Sequence, residues 1–560
     1  MMGKRSPQGR VFAADQIYLD HVGRETIYGY LAEHREHLFR DEDFAALYCA
    51  DNGRTSVPPS LVVSMLLLRA YERVSFAEAA ERAKYDLRWK VALGLEMEEE
   101  PIQKSALQEF EAQLVLHKMG EALLKKSIEE ARRAGYLPQR KIRVALDTTP
   151  ILGKGAVKDT YNLLAEGIVK LGERLAEAEG EEVTVWAAKH ELSRYWGSSI
   201  KGEAGIDWDN KGQREQLLTQ IVGDGRRVLS LAEKIKEEHP EHQEGIEAQA
   251  ALLKRLIAQD VEEKPDGNSE IKKGTAKDRV VSVNDPEMRH GRKSASHLFN
   301  GHKAAVAVEI ESQLIVGVEV LPGNAGDQQK ALELVEQSER VAEAEVEETV
   351  GDCAYGGGPT RRAFAEAERP LTAKVPVSTN GDRFPKSEFA IDLEKQEVRC
   401  PAGQTTSDYH AAKGGGGYFA FAAATCEACP LRAQCVSGQG PRTISVQAEE
   451  ALQQQARAHN QTAAGRKSLR ERVVAEHRIA RLVALGIRKS RYFGRTKTCL
   501  QVVMAAVVAN VSLVAGFCGR QAEAAGAGAE KASPEAGTSL GKALASLWCQ
   551  VFRSTALAWA

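Results

Sequence analysis

The sequence has few of the features that would place a protein outside a reducing, aqueous compartment. Its opening stretch, MMGKRSPQGRVFAAD, holds no apolar run of signal-peptide length, so export is not expected. Only nine of 560 residues are cysteine, four clustered and five scattered, which is not a disulfide scaffold. A cytoplasmic, nucleoid-associated location is expected. The single long apolar run, Cys499 to Cys518, reaches the roughly 20 residues of a membrane span, but it contains Gln501 and Asn510 and follows a basic stretch. A buried helix is therefore expected, and no membrane partner. Net charge is also scarce, since 75 Lys+Arg against 78 Asp+Glu leave −3, which taken alone suggests neither a basic nucleic-acid binder nor an acidic scaffold. Several enzyme signatures are missing as well. There is no G-x-x-x-x-G-K-[ST] and no G-x-S-x-G, and the H-E-x-x-H begun by His190 and Glu191 fails at Arg194. A P-loop motor, a nucleophile-elbow hydrolase and a zincin are thereby set aside.

The composition that remains is globular, with 43% hydrophobic and 27% charged residues, and the length suggests about three or four domains. Residues 11–135 read as helical. Pro58 and Pro59 start one helix, and Ser75 with Glu78 forms a capping box that starts another. This pair is either a helix-turn-helix or an ordinary packing unit. From Lys141 the pattern changes to KIRVALD, which alternates as a strand does. A polar, helix-rich insert (161–279) follows, and strand signals return at 302–310, 313–321 and 347–352 with a helix between the last two. The segments 141–160 and 280–380 therefore read as an α/β core. A Gly- and Cys-containing insert (381–445), two successive helices (466–518) and a low-complexity tail (520–560), expected to be disordered, complete the chain.

Two carboxylates mark the ends of these elements, and a third lies within a helix. Asp147 reads as the last residue of its strand, with Thr148, Thr149 and Pro150 breaking it, and Asp352 ends another strand before a Gly-rich turn. Each can project into a crevice at the sheet's edge or simply cap a turn. Glu476 falls on a helical stripe with Leu469, Val473, Ala480 and Val483 that should face the core. A carboxylate there must pair, for instance with Arg472, or bind a metal. Around it, Arg466 to Lys497 carries eleven Lys/Arg against two acids, a net +9 in 32 residues. Glu333 to Glu348 carries seven acids and one base, a net −6, so near-neutrality conceals a division. The basic block, interleaved with Tyr492 and Phe493, is expected to contact phosphate backbones and to make binding salt-sensitive. Arg472, Arg478, Arg481, Arg488, Lys489, Arg491, Arg495 and Lys497 are the candidate DNA contacts. Carboxylates beside such a block suit Mg²⁺ or Mn²⁺, two ions of which can drive in-line phosphoryl transfer without a protein nucleophile.

Cys400, Cys426, Cys429 and Cys435 can bind zinc tetrahedrally, though the C-x5-C spacing of the last two is wide and reduced structural thiols or redox chemistry are the alternatives. His410 can replace one ligand. Trp186, Trp196 and Trp208 are expected in a core, with base stacking as the alternative.

Five blocks in order, VALDTTPILGKGAVKDTYNLLAEGI, DPEMRHGRKSASHLFNGHKAAVAVE, LPGNAGDQQKALELVE, VGDCAYGGGPTRRAF and RVVAEHRIARLVALGIRKSRYFGRTKT, resemble insertion-sequence DDE transposases, most of all the insertion-sequence eleven-eighty-two family. The N-terminal GRTSVPPSLVVSMLLLRAYERVSFAEAAERAKYDLRWKVALGL resembles the helical domain preceding the catalytic domain in those proteins. The resemblance spans residues 11–515. It implies an RNase H-like core, a mixed sheet with flanking helices, interrupted by the helical and Cys-rich inserts and preceded by an all-α DNA-binding domain. It also implies Asp147, Asp352 and Glu476 as catalytic, Mg²⁺-holding residues, double-stranded DNA (element ends and target) as partner, and a homodimer or larger assembly on DNA. The wider pattern Y-x-x-R-x-x-x-E-x-x-x-x-x-x-K is only partly met, since Leu469 stands for its Tyr and Val483 for its Lys; Arg478 and Arg481 are candidate substitutes. Glu471 is the rival third carboxylate. The implied activity is DNA cleavage and strand transfer at inverted-repeat ends. The alternatives are a nuclease without strand transfer and an inactive DNA-binding derivative.

Overall fold

The computed structural model describes residues 1–5, 12–49, 55–294 and 296–531. Its centre is a mixed sheet. Strand β1 (Lys141–Leu152) is followed by a small hairpin within the first insert, β2 (Val261–Glu263) and β3 (Ser269–Ile271). Then come β4 (Arg289–Arg292), β5 (Leu298–Glu309), β6 (Ile315–Pro322), β7 (Glu345–Gly351) and β8 (Leu371–Ala373). The main sheet runs β4-β5-β1-β7-β8, and β6 pairs with β5 beyond β4 on the same edge. β1 is antiparallel to β5 and parallel to β7, which is parallel to β8. β5 and β6 read as near-continuous apolar runs because both faces of the sheet are covered there: Ala304–Val308 and Ile315–Val318 are all buried.

β1 does not end at Asp147. It continues through Thr148, Thr149 and Pro150 to Leu152, paired throughout with β5. Proline is tolerated because β7 pairs with β1 only as far as Ala145, so that β1 has a free side at Pro150.

The N-terminal helices do not form a separate core. Helices Ile27–Leu38, Pro59–Glu72 and Gly120–Arg133 share one apolar cluster with the sheet and with the last helix, Arg495–Lys531. Pro59 takes the first turn of its helix, where no N–H is missed, and Arg73 closes it with a left-handed φ of 59°. Ser75 caps the next helix, Phe76–Tyr85, accepting from the Glu78 N–H at 3.1 Å. Glu78 does not complete the reciprocal box, because its carboxylate accepts from Arg82 at 2.7 Å. Both basic side chains of this helix are committed to ion pairs, Arg82 with Glu72 and Glu78 and Lys84 with Glu100.

The long apolar run forms the inner part of that last helix. Its span Arg495–Ala522 is long and apolar enough to cross a membrane, yet 67% of the relevant window is buried inside the protein. Its two amides explain their presence. Asn510, fully buried, accepts from the Ile315 N–H and donates to the Ile315 carbonyl, both at 2.8 Å, and donates to Ser127 at 3.0 Å, so it pairs with edge strand β6 as another strand would. Gln501 accepts from the Arg491 N–H at 2.9 Å and donates to the Lys489 carbonyl at 3.1 Å. The helix runs past Cys518 to Lys531, so no break falls at residue 520; the rest of the tail, 532–560, lies outside the described residues.

The first insert has its own apolar core, from Tyr161 to Val283. Trp186 is fully buried in it and Trp196 and Trp208 pack against it, which accounts for all three tryptophans. The second insert carries β9 (Ala390–Asp392), β10 (Glu397–Arg399), β11 (Thr405–Thr406), β12 (Tyr409–Ala411), β13 (Gly417–Ala420) and β14 (Thr443–Val446) as two three-stranded sheets over a small cluster of Phe389, Val398, Phe419, Phe421, Ile444 and Val446.

Candidate active site

The parallel register of β1 and β7 reaches Ala145 opposite Val350, so two more residues along each strand set Asp147 beside Asp352. Neighbouring strands lie about 4.8 Å apart, so two carboxylates meet at the point where β7 leaves the sheet. Asp352 turns the chain into Cys353–Gly356, accepting from the Ala354 N–H at 2.8 Å. It is therefore a turn cap as well as a neighbour of Asp147.

Glu476 comes to the same place by another route. Helices Ala463–Glu471 and Val473–Leu482 lie over the sheet, fixed by Arg143 of β1, which donates to Glu471, Glu348 and Ser468 at 2.8 Å each. Glu471, the rival carboxylate, is thus committed to Arg143. The next residue, Arg472, lies 3.4 Å from Asp147 and also donates to Glu476, joining two of the three carboxylates. The core-facing stripe is not the expected one. Ser468, Ala475, Arg478 and Leu482 are buried, one residue earlier than Leu469, Glu476 and Val483, while Val473 and Glu476 are exposed. Glu476 is consequently not a buried charge, and the cost of burial falls on Asp147.

Asp147 is half-buried, and its carboxyl is pushed up to about 6, first by burial and then by the charges of Asp352 and Glu476, against the opposing pull of the Thr148 N–H and Arg472. Arg472 pairs with Asp147 and Glu476 while Asp352 adds a third carboxylate beside them, leaving an excess of about two negative charges, and a divalent cation relieves such an excess. Among the described residues no group of three or more His, Cys, Asp or Glu side chains is placed to hold a metal ion. The donor set fits a hard cation by type and charge, with Arg472 standing between the carboxylates.

Sequence reasoning passed over two neighbours of this site. Tyr355 is buried with a hydroxyl that has no hydrogen-bond partner, and burial together with Asp147, Asp327 and Asp352 pushes its phenol well above the ordinary range. Asp327 is 2.8 Å from Lys303. No spacing rule flags a tyrosine three residues after an aspartate.

The basic block divides into two groups. Arg478 is buried and donates to the Ala509 carbonyl at 3.1 Å, so it ties its helix to the last helix and is no surface contact. Arg491 donates to the Arg73 and Val74 carbonyls at 2.6 and 3.0 Å, capping the end of helix Pro59–Glu72, and burial lowers its pKa. Arg495 pairs with Glu287 at 3.0 Å. Arg481 is half-exposed, and Arg488, Lys489 and Lys497 are exposed. Gly486, with φ of 95°, ends the helical run and turns the chain toward β1. There the Leu152 N–H donates to the Arg488 carbonyl at 2.9 Å and the Ser490 N–H to the Leu152 carbonyl at 2.8 Å.

Two transposase family models match this chain. The one described as "Transposase DDE domain" covers residues 399–515, and "Transposase domain (DUF772)" covers residues 18–113. They support an insertion-sequence transposase, a DNA-acting enzyme whose partner is DNA. Glu476 lies within the first match; Asp147 and Asp352 lie outside both. No curated protein and no solved structure matches the chain.

The four clustered cysteines are all half-buried and unpaired. The Cys435 thiol is pushed up by burial and by Cys426, Cys400 and Cys429. As donors they suit zinc. His410 is engaged elsewhere, stacked on Tyr418 at 4.8 Å and 3.3 Å from Asp408.

Proposed function

We propose that the chain is a DNA transposase, of the insertion-sequence eleven-eighty-two type, that binds the inverted-repeat ends of its element, cleaves the backbone and joins the freed 3′ hydroxyl to target DNA. The observation that carries this reading is the meeting of Asp147, on one strand, with Asp352, at the end of the parallel strand beside it, and the joining of Glu476 to Asp147 through Arg472. The strand order β6-β5-β1-β7-β8, three antiparallel strands followed by two parallel to the first, supports an RNase H-like core.

Asp147, Asp352 and Glu476 would hold Mg²⁺ or Mn²⁺. Such ions, when bound, activate the attacking water or hydroxyl and stabilise the leaving oxygen. The chain's own groups do the positioning. β1 fixes Asp147 and the burial around it; Arg472 neutralises part of the charge and is free to turn to a phosphate once a cation takes the carboxylates. Arg488, Lys489 and Lys497 attract the backbone beside them, and Arg481 adds to that field. The Cys-rich module would hold one zinc ion. Assembly as a homodimer or larger on DNA and action in the cytoplasm, on the nucleoid, belong to the same reading.

A joining assay tests it. Pre-cut duplexes ending in the inverted repeats that bracket the gene, incubated with a supercoiled plasmid and Mg²⁺, should become covalently linked to the plasmid. Nicking of the plasmid without joining would make the chain a nuclease, and binding with neither reaction an inactive derivative.

A further inference from the structure

At the far end of β1 an apolar ring stands exposed among cations. Phe493 is 45% exposed and Leu152 43% exposed. Lys154 holds its ammonium 4.7 Å from the Phe493 ring centroid. Exposed Arg488 and Lys489 are pinned to Leu152 by the two backbone bonds described above, and Arg488 also reaches the Pro150 carbonyl at 3.2 Å. The adjoining β4-β5 turn adds exposed Lys293.

The turn bearing Phe493 is held by hydrogen bonds on both sides. Ser490 accepts from the Tyr492 N–H at 3.1 Å, donates to the Tyr492 carbonyl at 2.7 Å and meets Thr498 at 2.7 Å. Tyr492 is held inward by Arg69 at 3.1 Å. On the other side the Arg495 N–H is fixed by Glu287 at 2.7 Å. The two adjacent aromatics are thus sorted, Tyr492 inward and Phe493 outward.

We propose that Phe493 is a stacking platform for an unpaired base of the DNA flanking the scissile phosphate, with Lys154, Arg488 and Lys489 neutralising the phosphates on either side. This rests on the transposase reading and extends it to a residue that governs which DNA ends are held. Charge complementarity sets the partner, since several cations and no unpaired acid surround the ring among the residues named. A phenyl ring offers no hydrogen bond, so it reads no base edge; what it offers is a face, and only a base taken out of the duplex stack can use it. Leu152 lies five residues beyond Asp147, roughly 16 Å along the strand, or about five base-pair rises from the cleavage point.

Binding measured in EDTA tests this independently of cleavage. The probes are a fluorescein-labelled duplex of about 20 base pairs with an unpaired tail of about five thymidines, and the same duplex blunt. Wild type should prefer the tailed duplex. Phe493→Ala should bind it about tenfold more weakly while holding the blunt duplex as before, which also shows that the variant is folded, and Phe493→Trp should restore the preference. Equal affinity of Phe493→Ala and wild type for the tailed duplex would overturn the proposal, as would an equal loss on both probes. A chain that joins DNA yet shows no Phe493 effect leaves the transposase reading standing and removes this one; the effect without any cleavage does the reverse.

Discussion

The carboxylates are gathered from distant parts of the chain and the thiols from one insert; in each cluster one member's pKa is pushed upward, yet the two are held by unequal scaffolds. Asp147 lies on a twelve-residue strand inside the largest apolar cluster. Cys400, Cys426, Cys429 and Cys435 sit in the loops and a short helix between strands of two to four residues, over six buried apolar side chains. A core that small supplies little stability by itself and ordinarily needs a staple. A large core can instead carry the cost of crowding like charges. The account therefore expects opposite responses when each cluster is dismantled.

The largest effect on the folded state is expected at the thiols. Cys426→Ser with Cys429→Ser should make residues 381–445 at least about tenfold more susceptible to limited proteolysis, with loss of roughly one bound zinc per chain by mass spectrometry. A double variant as resistant as wild type would make the two clusters alike. At the carboxylates, removing charge should stabilise. Asp147 has a folded pKa raised to about 6, against an ordinary value near 3.9, so the folded state binds its proton more tightly. Its ionisation therefore penalises folding above about pH 6, and the penalty vanishes below about pH 4. Asp147→Asn should raise unfolding stability at pH 7 by about 3 kcal/mol, should give no gain near pH 4, and should abolish activity; a variant destabilised at both pH values would contradict the crowding. The smallest effect concerns Arg472, which opposes that shift. Arg472→Gln should move the titration of Asp147 in the metal-free protein, followed by carboxyl NMR, upward from about 6, and an unmoved titration would mean that the guanidinium does not act on Asp147.

Much of this architecture was legible. The alternation in KIRVALD and the apolar runs of β5 and β6 announced strands because the sheet is covered on both faces. Two amides inside the apolar run signalled a buried helix, although that Asn510 would pair with an edge strand could not be read from its neighbours. The misreadings have physical causes. Pro150 looked like a stop because pairing on only one side of β1 is invisible in sequence. The stripe through Glu476 was off by one residue because Arg478 occupies the buried face, where an apolar residue is expected, while Val473 lies outside it. Charge counting in Arg466–Lys497 located the basic block but did not separate the structural cations, Arg478 and Arg491, from the exposed ones, since burial depends on which carbonyls the fold leaves within reach.

The central claim is that three carboxylates from three segments make one cation-dependent cleavage site. The most direct measurement is the Mg²⁺-dependent cleavage rate on DNA carrying the element's own ends, with binding followed in parallel, for wild type, Asp147→Asn, Asp352→Asn and Glu476→Gln. Each variant should lose at least about a thousandfold in rate while holding DNA at least as tightly as wild type. Wild-type cleavage by any one of them would contradict the account.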